Sequence, residues 1–171
     1  EDSNTAQQVI KLIDNKMSIT VKFLGQLSRF NGVDILQARH FIKTYNRTYP
    51  DKIFQRHEWL HTENHKMHKF PLPMKHDPAY QRMLENQPIP TEDEIKAIKN
   101  EMGFGYRQAI GELIYALCTC RPDVSYPVIK LSQYSTRPTR VHFNAVKDVF
   151  RFLYATRDDG IYFWRKQPRN D

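Results

Sequence analysis

Two proline-containing breaks divide the last third of this chain into short, separate helices. Arg121-Pro122-Asp123 and Arg137-Pro138 interrupt a stretch in which apolar residues recur at helical spacing. Proline lacks the backbone N–H that a helix interior needs, so a helix ends before it or begins with it. The sequence therefore predicts three helices of ordinary globular length, near residues 105–119, 124–135 and 139–156.

The first third of the chain predicts a β-hairpin that follows a short helix near 5–16. Asn31-Gly32 separates two runs of alternating polar and apolar residues, and both residues tolerate the positive φ angles of a tight hairpin turn. We expect strands near 18–30 and 33–36, with the second followed directly by a helix near 38–46.

The middle of the chain combines short helices with a long loop. A helix is expected near 51–60, after Pro50. Residues 61–90 are rich in histidine and proline, which predicts a long surface loop with short helical pieces at most. Thr91 and Glu94 have the spacing of a capping box, which predicts a helix near 92–101 that ends at Gly103. After Asp159-Gly160, a predicted turn, the residues Ile-Tyr-Phe-Trp-Arg predict the beginning of a strand.

Composition limits the class of protein. The chain has 171 residues, 40% of them hydrophobic, which permits a folded core, and its net charge of +7 favours polyanionic partners such as nucleic acid. A basic protein without such a partner has the same composition. No apolar run is long enough to span a membrane. Cys118 and Cys120 are poorly placed to bridge each other, so we expect reduced core thiols in a cytoplasmic or nuclear protein.

The predicted helix over 140–154 has one apolar arc and one narrow basic stripe. Arg140, Asn144, Lys147 and Arg151 follow at spacings of four, three and four residues, which places them on one side of a helix. Three cations along about three turns could contact successive phosphates of a nucleic-acid backbone. Lysine and arginine are also good helix formers, so a simply solvated face is the alternative.

Several short motifs occur in a fixed order over most of the chain, from about residue 17 to 165. They are Phe23-Leu24-Gly25, Leu36-Gln37-Ala38-Arg39-His40-Phe41-Ile42, Phe70-Pro71-Leu72-Pro73-Met74, Tyr106-Arg107 with Ile110-Gly111-Glu112-Leu113 and Tyr115-Ala116, Arg121-Pro122-Asp123-Val124-Ser125-Tyr126, and His142, Ala145, Arg151, Phe152, Leu153, Thr156 and Gly160. In this order the motifs resemble the region that follows the catalytic palm in copia-type LTR retrotransposon reverse transcriptases. The sequence departs from the family at His40-Phe41, at Pro127 and in a longer loop over 57–90.

The resemblance implies an α+β fold that is mostly helical: an N-terminal β-hairpin at the end of a polymerase palm, a thumb-like helical bundle and a C-terminal strand. The implied segments are the end of the palm with its primer-grip-like hairpin over 1–37, connecting helices and the His/Pro-rich loop over 38–103, the thumb-like bundle over 104–158, and the strand leading to RNase H over 159–171. Phe23, Leu24 and Gly25 would belong to the primer-grip-like hairpin.

The resemblance further implies a role in holding a template–primer duplex, because thumb helices of this family lie along that duplex. Arg140, Lys147 and Arg151 become the expected nucleic-acid-binding residues. No catalytic residue is expected, because the family's metal-binding aspartates lie before the Phe-Leu-Gly motif, and Asp158-Asp159 corresponds to a turn. We therefore expect no cofactor and no metal in this chain, and Mg²⁺ only in a parent RNA-directed DNA polymerase. Its partners would be the RNA/DNA template–primer duplex and the remainder of the polyprotein.

Two alternatives remain at this point. The chain could be a helical interaction domain, or a retroelement remnant, that binds no nucleic acid. The sequence His57-Glu58-Trp59-Leu60-His61 also matches a zinc-binding helix motif, in which two histidines one turn apart share a metal ion. His65 and His68 follow at spacings of four and three residues, but histidines that face solvent or nucleic acid are the preferred explanation of this pattern. A chain that begins with Glu1 is expected to be a piece of a longer protein; an active parent element would place it in cytoplasmic virus-like particles.

Overall fold

The computed structural model describes residues 2–17, 26–57, 59 and 77–165. These residues form a mostly helical α+β fold, as predicted. The helices are α1 (Asp2–Met17), α2 (Thr48–Arg56), α3 (Pro78–Glu85), α4 (Glu92–Met102), α5 (Tyr106–Thr119), a 3₁₀ turn (Pro122–Val124), α6 (Ser125–Ser132) and α7 (Arg140–Ala155). The strands are β1 (Arg29–Phe30), β2 (Val33–Gln37), β3 (Phe41–Tyr45) and β4 (Gly160–Trp164).

The four strands form one antiparallel sheet in the order β1-β2-β3-β4. The predicted turn is confirmed: Asn31 and Gly32 have φ angles of 48° and 82°, and the register sets Phe30 opposite Val33. Two consecutive positive φ angles give the tight hairpin connection that suits the twist of the strands. Of the first predicted strand, residues 18–25 lie outside the described residues, and they include Phe23, Leu24 and Gly25.

The helix predicted near 38–46 is wrong, because the chain there forms β3. The sequence Phe-Ile-Lys-Thr-Tyr is rich in aromatic and β-branched residues, which favour strands. β3 also pairs on both sides, and one neighbour, β4, is more than a hundred residues away in the sequence. Local periodicity cannot show that pairing, which supplies a second set of backbone hydrogen bonds.

The three predicted C-terminal helices are confirmed as α5, α6 and α7, and they pack together with α2 around one core. Fully buried side chains come from each of these helices, for example Phe54, Leu113, Val128 and Phe150. Burial of each such side chain stabilises the fold by about 1.5–3 kcal/mol. The predicted break between α5 and α6 is also confirmed, since the chain there forms the 3₁₀ turn.

The Arg121-Pro122-Asp123 motif has a structural role. The Arg121 side chain is buried and donates two hydrogen bonds to the Asp123 carboxylate, at 3.0 and 2.7 Å. It also donates to the backbone oxygen and the hydroxyl of Thr156, just after α7. This arginine therefore ties the turn between α5 and α6 to the end of α7.

Two helix starts differ in how well the sequence indicates them. At α4 the Thr91 and Glu94 capping box and the left-handed Gly103, with φ of 75°, are confirmed. At α3, within the predicted loop over 61–90, Asp77 accepts a hydrogen bond from the Ala79 N–H and Pro78 occupies the first helical position. That helix belongs to the short helical pieces that such a loop allows.

His142 joins α7 to α3. Its Nδ1 accepts a hydrogen bond from the Thr139 N–H at 2.9 Å, and its Nε2 donates to the Leu84 carbonyl at 3.0 Å. Burial lowers the pKa of His142 below its ordinary value, although the Leu84 carbonyl opposes this effect. The neutral ring therefore fits the core.

The two cysteines are free, as predicted, but only Cys120 is a core thiol. Cys118, on α5, is exposed, which corrects the expectation that both lie in the core, whereas Cys120 directly follows the end of that helix and is buried. Burial raises the pKa of the Cys120 thiol. No described helix is both long and apolar enough to cross a membrane.

Candidate nucleic-acid interface

The predicted basic stripe lies on α7, on the side away from its buried arc. Arg140 and Asn144 are exposed, whereas Lys147 and Arg151 are half-buried. The apolar arc is buried as expected at Ala145, Val146, Val149, Phe150 and Leu153.

Each cation of the stripe already has an interaction within the chain. Both terminal nitrogens of Arg140 contact the Glu101 carboxylate, and Arg151 Nη1 lies 2.8 Å from Asp148 Oδ1. Lys147 Nζ lies 5.4 Å from the centre of the Trp59 ring. Ion pairs near the surface are weak, so a phosphate could replace a carboxylate at small cost. The stripe nevertheless presents less free positive charge than the sequence suggests.

A second basic surface, not predicted from the sequence, lies between the hairpin turn, α2 and α5. It is an open cleft of about 590 Å³, which we call the hairpin cleft. Four residues of α2 and four of α5 line it, each set at the spacing of one helix face: Tyr49, Lys52, Ile53 and Arg56, and Gln108, Gly111, Glu112 and Tyr115. Arg29 and Gly32 of the hairpin complete the lining.

Contacts between the hairpin and the helices build this cleft. The Tyr115 hydroxyl donates a 2.8 Å hydrogen bond to the Asn31 carbonyl at the hairpin turn. Just after the turn, at the start of β2, the Asp34 carboxylate accepts hydrogen bonds from the backbone N–H and the hydroxyl of Thr48, at 2.9 and 2.8 Å. These contacts fix the hairpin against the start of α2 and the middle of α5.

Positive charge predominates in the hairpin cleft. Arg29, Lys52 and Arg56 line it together with a single carboxylate, that of Glu112. Arg56 Nη1 lies 2.7 Å from Glu112 Oε1, yet the arginine side chain remains 58% exposed. Lys52 is exposed and has no ion pair with any described residue. Arg29 Nε lies 3.9 Å from Asp34 Oδ1, and its side chain is 41% exposed. Among the described residues, the cleft therefore combines one cation without an ion pair, Lys52, with two ion-paired cations that remain accessible.

Gly111 leaves the surface of α5 open at the cleft. A Cβ atom built there meets no described atom within 4 Å, apart from its own helix backbone. Glycine inside a helix costs about 1 kcal/mol relative to alanine. Packing within the described chain does not require a glycine here. Because glycine has no side chain, a ligand can approach the helix backbone closely at this position.

His57 lies next to Glu112, one of the residues that line the cleft. Its Nε2 is 3.9 Å from Glu112 Oε2, and its ring stacks on Trp59 with centroids 4.7 Å apart. Burial lowers the pKa of His57, and the Glu112 carboxylate opposes this shift. The described part of the chain contains no group of three possible metal ligands. His61, the second histidine of the zinc motif, lies outside the described residues, as do His65 and His68.

The sequence is similar to Pol polyproteins of transposons. It is 51% identical over 57 residues to the retrovirus-related Pol polyprotein from transposon RE2 of Arabidopsis thaliana, a match that covers 33% of this chain and 4% of that protein. It is 28% identical over 157 residues to the corresponding polyprotein from transposon TNT 1-94 of Nicotiana tabacum, covering 91% of this chain and 11% of that protein.

A third relative is the putative transposon Ty5-1 protein of Saccharomyces cerevisiae, with 40% identity over 52 residues, covering 30% of this chain and 17% of that protein. The matched regions thus span a small part of each of these relatives. No family model matches the chain, and no solved structure matches it. The predicted likeness to retrotransposon polyproteins is confirmed, and it supports a polyprotein fragment.

Proposed function

We propose that this chain is the part of a copia-type reverse transcriptase that holds the template–primer duplex. The similarity to Pol polyproteins over 91% of the chain supports the origin of the fragment. The hairpin cleft supports the binding role, because three cations line a concave surface with only one carboxylate. This cleft is the observation that carries the proposal.

Duplex binding by a polymerase has to be independent of sequence, so contacts to phosphates suit it better than contacts to bases. Arg29, Lys52 and Arg56 can each face a phosphate, while the bare surface at Gly111 lets the nucleic-acid backbone approach α5. The stripe of Arg140, Lys147 and Arg151 on α7 would add contacts in which phosphates replace the carboxylates of Glu101 and Asp148.

The same proposal assigns the chemistry of polymerisation to other parts of the polyprotein. Mg²⁺ and the catalytic aspartates would belong to the palm, and this chain would act by positioning the duplex. Its partners would be the template–primer and the rest of the polyprotein, in the cytoplasm, the nucleus or a cytoplasmic particle.

A helical interaction or remnant domain without nucleic-acid binding is the second candidate. The carboxylate partners of Arg140 and Arg151 favour it, because a solvated helix face forms such pairs. The two candidates differ in whether the chain binds an RNA–DNA hybrid at low salt.

The experiment measures binding of the 171-residue chain to a labelled RNA–DNA hybrid by fluorescence anisotropy between low and moderate salt. Duplex holding predicts a steep loss of affinity with salt, with each phosphate contact contributing about 0.9 to the slope. Replacing Arg140, Lys147 and Arg151 by alanine should reduce that slope and weaken binding to hybrids of different sequence alike. A chain that does not bind the hybrid at low salt would establish the second candidate.

A further inference from the structure

One face of the sheet carries a group of aromatic side chains around a lysine. The register sets Phe41 opposite Trp164 and Lys43 opposite Tyr162, and residues directly opposite each other in a sheet share a face. Tyr45 follows on the same face, since side chains alternate along a strand. We call these five residues the aromatic face.

The rings of the aromatic face support one another but remain accessible. Phe41 contacts both Tyr162 and Trp164, with ring centroids 5.3 and 5.4 Å away. The Tyr162 and Trp164 rings lie within 18° of parallel, and they are 45% and 71% exposed. Two nearly parallel, exposed rings held by a third form a platform on which another flat ring can stack.

A positive charge lies within this platform. Lys43 Nζ is 5.1 Å from the ring centres of both Tyr45 and Tyr162, and it donates a hydrogen bond to the Asp158 carbonyl. Arg165 directly follows Trp164, and its N–H donates to the His40 carbonyl, so its exposed side chain begins on the opposite side of the sheet, at the sheet end.

The carboxylates nearest to the aromatic face already have partners. Asp34, opposite Tyr45, is buried and accepts hydrogen bonds from Thr48. The Asp158 carboxylate lies 3.3 Å from Arg47 Nη1. An anionic ligand with flat rings therefore meets Lys43 and aromatic rings here, while the Asp34 and Asp158 carboxylates already interact with other groups of the chain.

We propose that the aromatic face stacks the unpaired bases of a single-stranded nucleic acid. Exposed aromatic rings bind bases by stacking, and adjacent cations bind the phosphates between them. A duplex fits this face poorly, because its bases already stack on one another. A protein partner also fits this face less well than a single strand does. Lysine is depleted at the centres of protein interfaces, and Lys43 lies among the rings. The inference is independent of duplex holding by the hairpin cleft.

The test uses two single-stranded probes of equal length, a thymidine 12-mer and an abasic 12-mer with the same phosphates. Stacking predicts that the thymidine strand binds at least about fivefold more tightly than the abasic strand, and that Trp164→Ala or Tyr162→Ala removes the difference. Phe163→Ala is the matched control, because Phe163 is 55% exposed on the same strand but on the opposite face. It should leave both affinities unchanged.

Intrinsic fluorescence gives a second readout. The chain has two tryptophans, and Trp59 is only 5% exposed, so a stacked base should quench mainly Trp164. Equal binding of the two probes, or equal loss on Phe163→Ala and Trp164→Ala, would overturn the proposal. A third result would also overturn it: the chain self-associates, Trp164→Ala abolishes that self-association, and the thymidine strand does not bind. The aromatic face would then be a contact between protein chains. Binding of the RNA–DNA hybrid is measured on the same samples, so that failure of base stacking by the aromatic face can be told apart from failure of duplex holding by the hairpin cleft.

Discussion

The hydroxyl of Tyr115 lies 2.8 Å from the carbonyl oxygen of Asn31, to which it donates a hydrogen bond. This contact joins the middle of α5 to the hairpin turn across 84 positions in the sequence. The same hydroxyl lies against Gly32, where an added Cβ atom would come within 2.2 Å of it. The turn and the helix are thus fitted to each other, and the hairpin cleft depends on that fit.

Gly32→Ala should destabilise the chain more than Gly103→Ala. Both glycines have left-handed φ angles, 82° and 75°, so both substitutions strain the backbone by about 1–2 kcal/mol. Only at Gly32 would the new methyl group also collide with Tyr115, since a Cβ at Gly103 meets nothing described within 4 Å. We expect urea unfolding to show an additional loss of about 1–3 kcal/mol for Gly32→Ala.

The double variant Gly32→Ala/Tyr115→Phe isolates the collision. Tyr115→Phe alone should cost about 0.5–1.5 kcal/mol, because it removes the hydrogen bond to Asn31. In the double variant the clashing oxygen is absent, so its loss of stability should be smaller than the sum of the two single losses. Additive losses would mean that Tyr115 does not lie against Gly32.

Gly111→Ala should separate stability from binding. The substitution places a better helix former where a Cβ has open space, and should therefore stabilise the chain by up to about 1 kcal/mol. If the duplex backbone approaches α5 at this point, the new methyl group should weaken hybrid binding. Thermal unfolding and anisotropy on the same sample measure both effects, and unchanged affinity with increased stability would show that nothing approaches Gly111.

Stability should fall as the pH decreases below about 6.5. In the folded chain, burial lowers the pKa of His142 below its ordinary value of 6.5, and it lowers the pKa of His57 in the same way. The unfolded chain therefore binds more protons than the folded chain between the lowered values and 6.5, so acidification through this window favours unfolding. His142→Gln should reduce the slope of unfolding free energy against pH over this range. A slope equal to that of the unsubstituted chain would show that His142 is not buried in its neutral form.

Much of the helical fold is predictable from the sequence because its signals are local. Proline at 122 and 138, the Thr91–Glu94 spacing and Gly103 mark helix ends within a few residues of their observed positions. The Asn31-Gly32 turn is equally local, since both residues favour the positive φ angles that it requires.

The strand β3 and the hairpin cleft could not be predicted in the same way, because both depend on contacts between distant residues. β3 forms between two partners, one of which begins at Gly160. The cleft needs the contact of Tyr115 with Asn31 and that of the Tyr49 hydroxyl with the Glu112 carbonyl, at 3.0 Å. The periodicity of α7 shows the basic stripe, but it cannot show the partner of Arg140, since Glu101 lies on another helix.

The hairpin cleft is the central claim, and its cations test it most directly. Lys52→Ala/Arg56→Ala removes two positive charges from the cleft, and Lys11→Ala/Lys96→Ala removes two exposed charges elsewhere as a control. For hybrid binding measured against salt concentration, we predict that the cleft variant lowers the slope by about two, at about 0.9 per lost phosphate contact, while the control leaves it nearly unchanged. Equal slopes for the cleft variant and the control would contradict duplex holding by this cleft.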